Sequence, residues 1–480
     1  MVPYFVKIVS AKKHQQNKKP PAMKNSKKDT HSKTHAIPNL RFEDQKLTSF
    51  SGLIIFQKLF SQLSIKDKLR QCFKHRTVRP IFGEATIVLL LVVHLLLGYR
   101  ELRHLSFYQD DPMVKRLLNL KKLPDVATIS RTLSDMDDKS VSRYLAMVNT
   151  LVLNRLSSLS LARVTLDFDG SVISTGRYAE GTAVGFNRKK KGQRSYYPLL
   201  CTVAQTGQVL NLLHRPGNVH DSNGAESFII ECVKQVRKTL PGAIIEVRMD
   251  GAFFSESIIT SLEKHRVEYT ASVPFERLLI LKEKVENRCK WYDLDKLCDF
   301  FELSWKPKSW SRKNRFIAVR QATKIQQKAP VQLDIFKPSD YRWEYKVIVT
   351  NKTIKAKKLV AYHNGRGSQE SIFAELKSCN QMDYVPTHTL AGNQIYLIST
   401  IMAHNLTKEL QMIGAESDRK TGEKRPALWK FKKLSTIRQQ IIQRAGRIIK
   451  PQGKIVLSMA ANEGVKTEML HFLGKLDEVA

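Results

Sequence analysis

At Arg163 the spacing of apolar residues changes, and that change limits the folds open to this chain. Before it, apolar side chains recur at helical spacing in Leu53–Leu63, Ala85–Leu97, Val114–Leu118 and Val141–Leu151. After it, Val164-Thr-Leu-Asp-Phe-Asp169 alternates apolar with polar, the period of a strand. Tyr196–Ala204 and Gln208–Arg215 flank Gln205-Thr-Gly207, a hairpin signal. Helix then follows over Ser222–Thr239, strand over Ala243–Asp250, helix over Ser255–His265 and strand over Val267–Val273. This order predicts an α/β fold built on a mixed sheet, behind a helical region.

A chain of 480 residues exceeds one small core, so several domains are expected. Residues 1–40 read as a basic disordered tail: Met1–His35 holds nine lysines against one aspartate. Residues 41–156 read as a helical DNA-binding domain, 157–412 as the α/β domain, and 413–480 as a basic C-terminal helical region. Within the α/β domain, about 275–344 breaks the rhythm. It carries Trp291, Trp305, Trp310 and Trp343 among short strand-like runs, and reads as a β-rich insertion. Asp125 or Thr128 is expected to cap a short helix over Pro124–Leu133, where Arg131 and Thr132, with Arg103, are candidate DNA contacts in a helix-turn-helix. Ile437–Ile449 reads as an amphipathic helix with Arg438, Arg444 and Arg447 off its apolar stripe.

Charge narrows the partners. A net +36 and a pI near 9.9 point to a polyanion, most simply nucleic acid. The six cysteines are scattered without a Cys-x-x-Cys pair, which argues against a zinc ribbon and fits a reducing, cytoplasmic setting. The longest apolar run, Ile87–Leu97, is too short to span a bilayer and reads as a buried helix. The start lacks the marks of a signal peptide, and no membrane association is expected.

Carboxylates at strand ends carry the chemistry. Asp167 and Asp169 are two apart and point to the same side of their strand, and Asp250 ends another. A carboxylate at a buried strand end is costly unless paired or metal-bound. Between Tyr362 and Lys377 lie Arg366 and Glu370; at 100° per residue Arg366, Glu370 and Lys377 fall within about 40° of one another. Hard oxygen ligands suit Mg²⁺ or Mn²⁺, and two such ions can drive in-line phosphoryl displacement. Arg188, Lys189, Lys190, Lys191 and Arg194 form a basic loop between strands, a possible DNA-backbone contact. No phosphate-cradling Gly-x-x-x-x-Gly-Lys-Ser/Thr loop is present.

Together these residues resemble the DDE transposases of bacterial insertion sequences. The likeness is to the insertion-sequence-four superfamily, and within it to insertion-sequence family thirteen-eighty. It rests on Leu166–Ser171, Gly185-Phe-Asn with Ser195–Leu199, Arg215–Asp221, Met249–Phe254, the Tyr362–Lys377 segment and Ile437–Ile449. The resemblance implies a ribonuclease-H-like catalytic domain with a β-rich insertion between its second and third acids. Asp169, Asp250 and Glu370 match the metal-binding catalytic acids, with Asp167 the alternative first acid and Glu375 the alternative third. Tyr362, Arg366 and Lys377 match positions that engage DNA phosphate. The implied activity is metal-dependent cleavage and strand transfer of element ends, cut and paste, with two Mg²⁺ or Mn²⁺ ions. The implied partners are terminal inverted repeats, target DNA and a second copy of the chain, in a bacterial nucleoid. A nuclease on the same fold, or a domesticated DNA-binding protein without strand transfer, are the alternatives. One departure stands out: three residues, not two, separate Tyr362 from Arg366. With Gly365 and Gly367 disfavouring helix, a helix is expected to begin near Ser368, leaving Tyr362 and Arg366 on the preceding loop.

Overall fold

Three of the helices before Arg163 begin where an aspartate side chain caps them. A computed structural model describes residues 37–77, 80–185, 187, 190–220, 223–324 and 341–478. It divides the chain into Met1–Gln45 and Lys46–Ala480. Most of the first unit, including the basic tail over Met1–His35, lies outside the described residues, and 37–45 carries no helix or strand. The second unit opens with β1 (Leu47–Thr48), α1 (Leu53–Gln62), α2 (Ile65–Phe73), α3 (Glu84–Leu97), α4 (Pro112–Leu118), α5 (Val126–Ser134) and α6 (Asp138–Leu159). Asp111, Asp125 and Asp137 cap α4, α5 and α6 by accepting from backbone N–H groups in the first turn, as at Asp125 Oδ1 to Thr128 N, 2.6 Å. The apolar α3 is buried almost throughout, against α2 and later helices, as its composition requires.

The chain then enters β2 (Arg163–Gly170), β3 (Ile173–Ser174), β4 (Ala183–Val184), β5 (Arg194–Tyr196), β6 (Leu199–Val203) and β7 (Val209–Leu213). Gly207, at φ +64°, turns the expected β6–β7 hairpin. Helix α7 (Ala225–Thr239), β8 (Ile244–Met249), α8 (Glu256–Lys264) and β9 (Glu268–Val273) follow. After α9 (Leu279–Glu286) come β10 (Tyr292–Asp295), β11 (Cys298–Trp305), β12 (Asn314–Lys324) and β13 (Tyr341–Thr350).

These strands form a nine-stranded sheet in the order β7-β6-β2-β8-β9-β13-β12-β11-β10. β2 pairs antiparallel with β6 and parallel with β8, and β8 pairs parallel with β9. Numbered along the chain, the first five strands of this sheet (β2, β6, β7, β8 and β9) lie in the order three-two-one-four-five with the second reversed, while β3, β4 and β5 pair apart from it. That is the ribonuclease-H-like arrangement. The inserted β10–β12 do not make a sheet of their own. They continue the central one through the antiparallel β9–β13 pair.

The period of two sorts β2 and β8 into two faces. Val164, Leu166, Phe168, Ile245, Val247 and Met249 join one apolar core with α7 and the end of α6. The other face, carrying the odd residues of β2 and the even residues of β8, lies under α10 (Ala356–Asn364) and α11 (Gly367–Ser378). Helix α12 (Leu390–Gly414) then packs on α3 and α6.

The C-terminal region departs from the sequence reading. Ile437–Ile449 is not one amphipathic helix. Helix α13 (Leu434–Ile437) passes into a π turn over Arg438–Ile442, and the chain then extends as β14 (Gly446–Ile449). β14 lies between β1 and β15 (Val456–Met459), and α14 (Glu463–Glu478) packs on α1 and α12. Arg438 turns inward, donating to the carbonyls of Leu95 and Leu96 at the end of α3 and of Cys379 after α11. It is a helix cap, not a surface cation. Gly98 leaves room for it, because a Cβ there would stand 2.5 Å from the guanidinium carbon.

Candidate active site

Three cross-strand pairs climb the buried polar face between β2 and β8. The register pairs Thr165 with Glu246 and Asp167 with Arg248. One step past its last described pair, Phe168 with Met249, the same register brings Asp169 beside Asp250. Neighbouring strands run about 4.8 Å apart and paired residues share a face, so these two carboxylates sit side by side at the C-terminal ends of parallel strands. Ligand sites of open α/β sheets form at such ends.

The lower pairs are satisfied internally. Glu246 accepts from Thr165 Oγ1 at 2.8 Å, Lys352 Nζ at 2.8 Å, Arg163 at 2.9 Å and Arg425 Nε at 3.1 Å. Burial alone would raise its carboxyl, but Lys352, Arg425 and Thr165 overcome that and hold it down at about 2. Asp167 takes the Arg248 fork on both oxygens, at 2.5 and 2.7 Å, with both side chains inaccessible. This buried pair makes Asp167 structural.

The top pair differs, since two like charges face each other. Asp169 Oδ2 accepts from Arg366 Nη1 at 3.1 Å, and its Oδ1 accepts from Gly170 N at 2.8 Å. Asp250 Oδ1 accepts from Ala252 N at 2.9 Å and so caps the short 3-10 turn Gly251–Phe253. The cation comes from the joint between α10 and α11. Glu370 lies one turn beyond Arg366 on α11 and is solvent-exposed. Gln369 fixes the start of α11 on β2 by donating to the Asp167 carbonyl at 2.9 Å. Lys377 Nζ reaches the Val172 carbonyl, just past β2, at 3.1 Å. Arg366, Glu370 and Lys377 thus share the helix that seats on the acid-bearing strand end. Glu375 points elsewhere: buried, it pairs with Lys408 at 2.8 Å and accepts from Leu434 N.

Tyr362 parts company with that group. It is 1% exposed and sits on α10, not on a loop. Its ring lies between the Arg248 guanidinium and Lys352 Nζ, at 5.2 and 4.5 Å from its centre. A phenol so enclosed packs the joint; a phosphate cannot reach it. His363 beside it is held by Ser272 Oγ at 2.9 Å and Thr270 Oγ1 at 3.0 Å. Burial, then the charges of Lys346, Arg366 and Arg248, push its pKa well below the usual histidine value.

Of the basic loop, Arg188 and Lys189 lie outside the described residues. Lys190 and Lys191 are exposed. Arg194 instead donates to Thr182 and lies over the Tyr178 ring. Trp305 and Trp310 pack on Phe316 and Phe254, while Trp291 and Trp343 hold the Arg320 guanidinium between them at 4.6 and 4.2 Å. Sequence reasoning missed Arg248 and Gln369, and read Gly365 only as a helix breaker. The alternation in Glu246-Val-Arg-Met-Asp250 was the available signal for Arg248, which falls on the same face as Asp250.

Paired strand-end carboxylates are hard donors of the kind a divalent ion takes, with one or two protein carboxylates and phosphate oxygens completing its shell. Among the described residues no three His, Cys, Asp or Glu side chains gather closely enough to hold an ion by themselves.

The candidate acids thus stand at the strand ends of a ribonuclease-H-like sheet. The family model for transposase DDE domain group 1 matches residues 32–480, and the chain belongs to that family. No curated protein matches it. Among solved structures, a piggyBac transposase synaptic complex with hairpin DNA is 12% identical, covering 82% of this chain and 80% of that one at a TM-score of 0.37. A Mos1 transposase paired-end complex with the left transposon end is 11% identical, over 50% of this chain and 62% of that one, at 0.17. Among the described residues no helix is long and apolar enough to cross a membrane.

Proposed function

We propose that this chain is the transposase of an insertion sequence, of the kind in insertion-sequence family thirteen-eighty, cutting and joining DNA at the ends of its element. The feature that carries this reading is the placing of Asp169 and Asp250, which the β2–β8 register brings to the ends of adjacent parallel strands one step beyond two internally neutralised pairs. In this reading Asp169, Asp250 and Glu370 hold two divalent ions, Mg²⁺ or Mn²⁺. When bound, such ions activate an attacking oxygen and stabilise the leaving one. Arg366 and Lys377 grip the phosphate beside the scissile bond, and Tyr362, enclosed at the joint, is left out of that set. Asp167 and Glu375 are structural.

The rest of the chain supports a DNA substrate. Its +36 charge suits a phosphate backbone. An open cleft of about 750 Å³ in the helical region is lined by Lys66, Arg70, Lys115, Arg116 and Lys121. With exposed Lys190 and Lys191 these are the DNA contacts we favour. Joining two ends calls for two copies acting together.

The test supplies element-end DNA, a target plasmid and Mg²⁺. Nicked ends followed by joined product are expected. Cleavage without joining would make the protein a nuclease on the same fold. Binding without cleavage would make it a DNA-binding protein only.

A further inference from the structure

Arg248 ties together the two strands that lead to Asp169 and Asp250 and the end of the helix that precedes Arg366. It lies on β8 two residues before Asp250, on the same face. Its Nε and Nη2 take both oxygens of Asp167, two residues before Asp169 on β2. Its Nη1 donates at 2.9 Å to the Tyr362 carbonyl near the end of α10 and at 2.9 Å to the Lys424 carbonyl. The joint is shaped around it. A Cβ on Gly365 would stand 2.3 Å from Nη1 and 2.1 Å from the Lys424 oxygen, so only glycine fits. Arg366, which reaches Asp169, is the next residue.

A guanidinium is planar, always charged and presents its donors in a rigid fork. One fully buried fork therefore fixes two things together: the spacing of the β2 and β8 ends and the joint between α10 and α11. We propose that Arg248 is the positioning residue of the acid site, setting the places of Asp169 and Asp250 and of the joint that carries Arg366, without touching substrate or ion. This rests on reading Asp169, Asp250 and Glu370 as the divalent-ion site. Groups that orient first-shell ligands from behind typically change metal affinity by about 10–100-fold when lost.

The test measures Mn²⁺ binding to the full chain without DNA, by paramagnetic resonance of free Mn²⁺. The Arg248→Met, Asp167→Leu double variant replaces the buried ion pair with apolar side chains, a change that leaves stability near neutral in other proteins. It also leaves the Tyr362 and Lys424 carbonyls without their donor, so its melting temperature is expected to fall; measured where it is folded, it is expected to keep its DNA affinity but to weaken Mn²⁺ binding about 10-fold or more. Arg248→Lys keeps the charge and loses the fork, and an intermediate loss is expected. Should neither fold, Asp167→Asn, measured at a temperature where it is folded, leaves the fork without a charged partner, and a weakening of the same sign is expected. Wild-type Mn²⁺ affinity in any of these folded variants would overturn the proposal. Asp250→Asn separates the two levels: if it binds Mn²⁺ like wild type, the acid site itself has been misread.

Discussion

At the residue scale, the same strand positions serve opposite ends. Thr165–Glu246 and Asp167–Arg248 are pairs that hold, whereas the next step of the same register carries an acid on both strands, Asp169 and Asp250. Like charges placed opposite each other across strands cost roughly 0.2–1 kcal/mol. Asp250→Asn is therefore expected to raise the metal-free unfolding free energy by that order while abolishing cleavage; a fall in stability would contradict the repulsion. Asp167→Asn acts the other way. It leaves Arg248 buried beside a neutral partner and is expected to destabilise by about 3–5 kcal/mol, read by denaturant unfolding. Acid reaches the network through Glu246, whose folded pKa of about 2 lies below its ordinary 4.5. A depressed carboxyl contributes its full stability above pH 4.5 and loses it as the pH falls through about 2. Unfolding followed across that window should show the loss in wild type, and Glu246→Gln should flatten this part of the profile. The alternation of β2 and β8 made these acids legible in sequence. It did not reveal that Arg248 claims Asp167, because that needs the strand register.

At the element scale, the α10–α11 joint shows where local rules stop. The glycines around Arg366 rightly signalled a break, but helix precedes it as well as follows it, so Tyr362 lies in a helix and faces inward. What sets the break is Gly365 against Arg248 and Lys424, residues far away in sequence. The reading of Ile437–Ile449 failed for a related reason. Its apolar period is real, yet Arg438 is drawn inside by the open carbonyls of Leu95, Leu96 and Cys379. Beyond it Gly446–Ile449 finds strand partners on either side. Arg438→Met leaves those carbonyls without their cation. Each buried group left unsatisfied costs about 1–3 kcal/mol, so a clear drop in melting temperature is expected, with DNA affinity little changed. A parallel fall in DNA affinity would return Arg438 to the DNA surface.

At the scale of the whole molecule, residues from before Arg163 and after Arg419 share one apolar core. Phe50, Leu53 and Leu90 lie in it with Leu434, Ile437, Ile441 and Ile442. Composition along the chain does not reveal such sharing, since basic surface residues dominate the last segment while its few apolar ones do the packing. Ending the chain at Lys433 is expected to expose that core and lower solubility and melting temperature together; a truncated protein as stable as the full one would refute the shared core. The central sheet was more legible: the strand-helix order announced a mixed sheet, and the inserted strands were recognised as β-rich, though not as its extension. The central claim is that the acid pair above the neutralised ladder cuts DNA, and one measurement addresses it directly. Cleavage of element-end DNA in Mn²⁺ is compared for wild type, Asp167→Asn and Asp169→Asn, at a temperature where all three are folded. Cleavage is expected to survive in Asp167→Asn and to vanish in Asp169→Asn. Cleavage that persists without Asp169 would contradict the account.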